Sequence, residues 1–140
     1  MAGTLYVEIV APDTNAFRGE ATSFRAPGIE GSFEVLRNHA PMVAATGVGL
    51  VTITTADQGT VEFATSPGFV EVLDNRVIML TEAAEPVGEI DLERAKAAEE
   101  RARERIAASQ SPEERAAAEA AFERARNRAR LAMGGVGAGR

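Results

Sequence analysis

Cysteine is absent from this chain, which excludes disulfides, thiolate metal sites and a cysteine nucleophile. Histidine is nearly absent too. His39 is the single one, so no His/Cys metal cluster can form, and a histidine-dependent triad would rest on one loop residue beside Pro41. No glycine-rich phosphate loop occurs, which excludes a P-loop NTPase. A basic excess is also missing: a net charge of −6 and a pI near 4.9 argue against a nucleic-acid partner. The longest uncharged run, Ala40 to Ala56, contains Pro41, Gly47, Gly49 and four threonines and makes a poor membrane helix. The N-terminal stretch is polar and alternating, without the charged and apolar regions of a secretory signal. The expectation is a soluble protein of a reducing compartment. Carboxylates are plentiful, but no pair stands out as an acid/base couple. The residues point away from an enzyme.

What is present falls into two parts. Residues 1–86 are rich in Val, Thr, Gly and Phe and carry 4 Arg and no Lys against 11 Asp/Glu, a net of −7. Residues 87–140 are mostly Ala, Glu and Arg, with 11 basic against 10 acidic side chains. At 140 residues the chain can hold one good core plus an appendage. In the first part Leu5, Val7 and Ile9 share one face of a period-two strand. Pro12-Asp13-Thr14-Asn15 reads as a turn, Ala16 to Arg18 and Ala21 to Ala26 as short strands around Gly19, and Phe33 to Leu36 as another. Leu50 to Thr54 returns through Asp57-Gln58-Gly59 into Thr60 to Ala64. Pro67-Gly68 and Asp74-Asn75 punctuate the strands Phe69 to Leu73 and Arg76 to Leu80. Short strands with frequent turns predict an antiparallel sandwich or barrel. Glu82 to Glu89 reads as a linker.

The second part predicts a helical hairpin. Asp91 is placed to cap a helix running to about Ala108. Ser111-Pro112-Glu113-Glu114 starts another, with Ser111 as cap, Pro112 in the first turn and Glu114 closing a capping box. Gly134-Gly135 stops it near Met133, and Val136 to Arg140 is left as a tail. Ala95, Ala98, Ala102 and Ile106 stripe the first helix; Ala118, Ala121, Phe122, Ala125, Ala129 and Ala132 stripe the second. Alanine buries little apolar area, so at roughly 25 cal/mol per Å² the seam is weak. With the turn centred at Gln110 and Ser111, Arg94 falls opposite the neighbourhood of Asn127, flanked by Arg124 and Arg128. Arg101 lies two turns from Arg94 on the same side. Either this set gathers around an anion, for which arginine forks are suited, or Glu93, Glu99, Glu100 and Glu123 neutralise it.

Three stretches together give the chain a family. Gly31-Ser32-Phe33-Glu34-Val35-Leu36-Arg37-Asn38-His39-Ala40-Pro41, Ser66-Pro67-Gly68-Phe69-Val70-Glu71-Val72 and Ile90-Asp91-Leu92-Glu93-Arg94-Ala95 resemble, in order, segments of the epsilon subunit of the bacterial F-type ATP synthase. The chain departs from that pattern at Glu34, Arg37 and Pro67. The resemblance implies an α+β fold: an N-terminal antiparallel β-sandwich over residues 1–86 and a C-terminal antiparallel α-helical hairpin over residues 87–140. It implies a non-catalytic place in the central stalk, coupling proton-driven rotation to ATP synthesis, with the gamma subunit and the c-ring as partners of the sandwich. The loop at Glu30 and Gly31 matches the ring contact. The hairpin is implied to switch between a docked state and an extended one that reaches the alpha/beta hexamer and restrains ATP hydrolysis. Members that bind ATP hold it as a regulatory ligand in the docked hairpin. By motif, the ligand groups here are Glu85, Asp91, Arg94, Arg101, Arg124 and Arg128. The implied location is peripheral, on the cytoplasmic face of the bacterial plasma membrane. A purely structural stalk subunit without ATP sensing is the competing expectation.

Overall fold

The computed structural model describes residues 3–57 and 59–134. Gln58 of the expected hairpin turn, Gly135 and the expected tail from Val136 lie outside the described residues. The chain divides into two compact units, Met1–Pro86 and Val87–Arg140.

The first unit is built from strands β1 (Leu5–Ala11), β2 (Thr14–Ala21), β3 (Ser23–Gly28), β4 (Gly31–Val35), β5 (Met42–Thr46), β6 (Gly49–Thr55), β7 (Gly59–Thr65), β8 (Gly68–Leu73), β9 (Arg76–Thr81) and β10 (Ala84–Pro86). They form one continuous sheet in the order β10-β7-β6-β3-β5-β8-β9-β1-β2, with β4 beside β3. Strand β3 is where the sheet turns over. Ser23, Phe24 and Arg25 pair with β6, whereas Gly28 pairs with Thr46 of β5. The two ends of the path meet across the interior, where Phe17 of β2 stands edge-on to Phe63 of β7 with ring centres 6.3 Å apart. Between the layers lie Leu5, Val7, Ile9, Phe24, Ile53, Val70, Val72, Val77 and Met79, all buried. Period-two alternation is what sends them inward together.

Three local expectations change, and one strand, β5, goes beyond them. Strand β2 begins at Thr14 and runs through Gly19 to Ala21, so only Pro12-Asp13 makes the turn. The register shifts between Ile9 and Val10, whose partners Phe17 and Asn15 leave Ala16 as the extra residue on β2, and Gly19 pairs with Val7 instead of breaking the strand. Strand β1 also pairs in parallel with β9, so the sandwich is not purely antiparallel. Met42 to Thr46 is a full strand beside β8. The expected linker holds β10, which adds to β7, and then a 3-10 turn at Val87–Glu89. Pro86 suits β10 because an edge strand need not donate an N–H on its outer side.

In the second unit α1 (Leu92–Ala108) and α2 (Pro112–Ala132) are joined through Ser109 to Ser111. Asp91 caps α1: its Oδ1 accepts the Arg94 N–H at 3.1 Å. Ser111 caps α2, its Oγ accepting the Glu114 N–H at 3.1 Å, with Pro112 in the first turn. Glu114 reaches back to the N–H of Gln110 at 2.8 Å, one residue earlier than a standard capping box would place it. Gly134 supplies the left-handed stop with φ of 81°. The seam is alanine as expected, with Ala95 and Ala102 of α1 and Ala118, Ala125 and Ala129 of α2 buried. Ala98, Ile106, Ala121, Phe122 and Ala132 are half-buried, and Leu131, outside the expected stripe, is buried. A Ser111→Ala substitution is expected to cost α2 about 1 kcal/mol through the lost cap. Amide hydrogen exchange reads this directly: the Glu114 amide should exchange faster while sandwich amides stay unchanged. Unchanged exchange at Glu114 would rule out the cap as a stabilising contact.

Candidate functional site: an arginine-bearing hairpin and an apolar sheet face

The hairpin folds α2 back along α1, so the first turns of α1 and the last turns of α2 share its open half. Four of the sequence-derived cations stand there. Arg94 sits in the first turn of α1, fixed by the Asp91 cap, and Arg101 follows two turns later on the same side. Arg124 and Arg128 are one turn apart on α2. Arg94, Arg101 and Arg124 are exposed, and among the described residues none of the three forms an ion pair. Arg128 is half-buried and engaged within the chain.

The carboxylates expected to neutralise the set are committed elsewhere or stand alone. Glu99 and Glu100 both hold Arg103, at 3.4 and 2.5 Å. Glu93 and Glu123 form no ion pair among the described residues. Arg103 in turn lies 5.3 Å above the Phe122 ring of α2, with Arg126 at 6.0 Å from the same ring. That cation–π pair is a polar tie across a seam of mostly small residues. The open half therefore presents Arg94, Arg101 and Arg124 without ion pairs among the described residues, alongside the unpaired Glu93 and Glu123. Its chemistry suits a polyanion, since guanidinium forks match phosphate oxygens.

Glu85 is the one motif residue outside the hairpin unit. It lies on β10 in the first unit, paired with Ala64 of β7, and is half-buried and engaged. Glu30 and Gly31 lie at the tip of the β3–β4 hairpin, where Ile29-Glu30 is a two-residue loop between the paired Gly28 and Gly31. Gly31 has φ of 133°, a conformation open to glycine and strained for any side chain. The Ile29 N–H donates to the Ala45 carbonyl at 3.0 Å and the Gly47 N–H to the Pro27 carbonyl at 2.9 Å, tying the tip to β5. The loop is thus a rigid, exposed projection, with Ile29 68% exposed at its end.

A second surface escaped the sequence reading. The outward face of β5, β8, β9 and β1 carries Val43, Phe69, Leu73 and Leu80, four of the seven large apolar side chains left exposed among the described residues. Register sets them in rows across the strands. One row runs Ala45, Phe69, Leu80, Val10; the next runs Val43, Glu71, Ile78, Glu8. Concavities of about 440, 230 and 150 Å³ share Phe69, Leu80, Glu71 and Ile78, so they join into one shallow groove along the strands. A contiguous apolar groove of this kind marks an interaction surface. The signal was present in the sequence as apolar residues on both phases of Phe69 to Leu73 and of Arg76 to Leu80. A strand with one face in solvent should show them on one phase only.

Comparison with known proteins gives these surfaces a context. The family described as ATP synthase, Delta/Epsilon chain, beta-sandwich domain matches residues 4–87. Its companion, ATP synthase, Delta/Epsilon chain, long alpha-helix domain, matches residues 89–133. The chain is 53% identical over 145 aligned positions to the ATP synthase epsilon chain of Salinibacter ruber, covering 98% of this chain and 97% of that one. It is 41% identical to the epsilon chain of Syntrophomonas wolfei, covering 87% and 89%. Among solved structures, the Euglena gracilis mitochondrial ATP synthase contains a chain that superposes with a TM-score of 0.77 at 24% identity, over 89% of this chain and 78% of that one. The central stalk and c-ring of the Tetrahymena thermophila enzyme gives 0.68 at 13%, over 91% and 95%. At those identities the structural likeness speaks for the fold alone.

Proposed function

On the premise that this chain belongs to the delta/epsilon family, as an epsilon subunit of the F-type ATP synthase central stalk, we propose that it is a non-catalytic regulatory rotor subunit whose hairpin binds ATP as a sensor. The observation that carries the ATP reading is the trio Arg94, Arg101 and Arg124. They are exposed and without ion pairs among the described residues, on a hairpin closed by alanine. Arg94, Arg101, Arg124 and Arg128 take the phosphates, and Asp91 fixes the first turn that presents Arg94. These five hairpin residues carry the proposal, and Glu85 on β10 joins them by motif.

The mechanism is selective binding. ATP engages the closed hairpin, in which α1 and α2 bring their arginines to one end, and not the extended one, in which they separate. A ligand at about 100 times its dissociation constant adds roughly 2.7 kcal/mol to the state it binds. Against a seam of small side chains that is enough to decide between two weakly held packings. When ATP is scarce the hairpin extends toward the alpha/beta hexamer and restrains hydrolysis. ATP is a signal here and not a substrate.

The sandwich supplies the anchorage. Its groove on β5, β8, β9 and β1 docks on the gamma subunit, and the Ile29-Glu30-Gly31 tip meets the c-ring. No helix among the described residues is long and apolar enough to cross a membrane. Attachment at the cytoplasmic face of the bacterial membrane then runs through these partners, while proton transport and ATP synthesis belong to the assembled complex.

Equilibrium titration of the isolated full chain tests the sensor. ATP is expected to bind saturably, and Arg94→Ala to weaken it about 10- to 100-fold, the worth of a charge-assisted hydrogen bond. Absence of binding up to millimolar ATP would remove the sensing role and leave family membership untouched.

A further inference from the structure

Four strands make the docking face, and together they carry three charged residues: Glu8 on β1, Glu71 on β8 and Arg76 on β9. Two of these are already occupied. The Glu8 carboxylate meets Arg18 at 3.3 Å, and the Arg76 guanidinium lies 4.9 Å above the ring of Tyr6. Glu71 has no ion pair or hydrogen bond from its side chain among the described residues, although it sits mid-strand with Val43 on one side and Ile78 on the other. It also lines both of the smaller concavities, where the two meet. An apolar ridge seated there would strip the carboxylate of water. A lone charge removed from water without a partner is strongly unfavourable.

We propose that Glu71 sets the charge register of this face: the ridge that fills the groove carries an arginine or lysine that pairs with the Glu71 carboxylate at the centre of an apolar contact. The inference rests on the groove being the gamma-docking face and adds the chemistry of the partner. The charge balance agrees, because the first 86 residues carry a net of −7 and so favour a basic counterpart. The rows of Phe69 with Leu80 and Val43 with Ile78 supply the apolar area. Glu71 supplies selectivity, since a neutral or acidic ridge of the same shape would leave it unpaired.

The test is binding of the full chain to the alpha/beta/gamma subcomplex of the same synthase reconstituted without it. Glu71 is exposed, so its variants should keep the fold, which a thermal melt checks. Loss of one partner of a desolvated charge pair predicts a weakening of about 30-fold or more for Glu71→Gln and for Glu71→Leu, with Glu71→Lys weaker still. Glu71→Leu is the decisive variant. If apolar burial alone governs the contact, it should bind as tightly as the parent or tighter, and that result overturns the pairing. Val43→Asp, opposite Glu71 in the register, tests the underlying surface. If Val43→Asp abolishes binding while Glu71→Leu does not, the face is right and the charge register wrong. If Val43→Asp binds normally, the docking face itself is wrong and the pairing falls with it.

Discussion

Phe69→Asp is expected to remove this chain from the assembled synthase while leaving the isolated chain folded. Phe69 is 59% exposed and points away from the core, so its ring contributes little to the sandwich interior. The backbone of β8 stays paired with β5 and β9 whatever side chain stands there. On the outer face the same ring lies between Ala45 and Leu80, in the one row of the groove that is apolar throughout. Aromatic side chains centred in an interface contribute the largest losses on truncation, about 2 kcal/mol or more each. An aspartate adds to that loss the desolvation of an unpaired carboxylate beside Leu80 and Val10. A combined loss of roughly 3 kcal/mol or more means at least about a hundredfold in affinity. Co-purification of the variant with the synthase, set against its thermal melt alone, reads the two effects separately. A variant that melts normally and still co-purifies at parental stoichiometry would show that the groove is not the docking face.

That groove is also the clearest case of what the sequence concealed. Period-two alternation correctly sends Leu5, Val7, Ile9, Val70, Val72, Val77 and Met79 inward, because one phase of each strand must face the core. It says nothing about what covers the other phase. Phe69, Leu73, Ile78 and Leu80 share one outer face only because β8 and β9 pair in a particular register and β1 joins β9 in parallel. The β8–β9 hairpin follows from the Asp74-Asn75 turn, but the pairing of β1 with β9 joins segments far apart in the chain, and no local pattern encodes it. Strand β10 was hidden for the same reason, since three residues beside Pro86 become a strand only when β7 lies next to them.

The helical unit was more legible because its signals are local. Asp91 and Ser111 each sit three residues before the N–H they accept, a spacing the helix itself imposes. The alanine stripes follow from the helical period, and the structure buries five of those alanines. The fate of the carboxylates was less legible. Glu99 and Glu100 each stand three or four residues from both Lys96 and Arg103 along the helix, and both turn to Arg103. Arg103 also lies over the Phe122 ring across the seam, a placement that no pattern within α1 encodes. Glu30 and Gly31 were placed by motif, and the positive φ of Gly31 gives the physical reason for that glycine.

Deleting Asp91 to Arg140 should raise ATP hydrolysis by the assembled complex about fivefold or more, the span of an ordinary coupling free energy. The deletion is clean because every residue of the hydrophobic core cluster lies between Leu5 and Ala84, so the sandwich keeps its interior. It keeps the docking groove and the Ile29-Glu30-Gly31 tip as well, and the truncated chain should remain in the complex. What it removes is the arginine-bearing hairpin, proposed above as both the arm that restrains hydrolysis and the site that senses ATP. The rise should therefore be largest at low ATP, where the parental hairpin is extended, and should shrink as ATP closes the parental hairpin. A purely structural subunit predicts a different pattern, with equal hydrolysis in the two complexes at every ATP concentration. An increase that is the same at low and high ATP would keep the restraint and discard the sensor. Arg94→Ala in the full chain separates the two roles again. With the hairpin present but its phosphate ligand lost, ATP should no longer relieve the restraint, and hydrolysis should stay low where the parental complex is released.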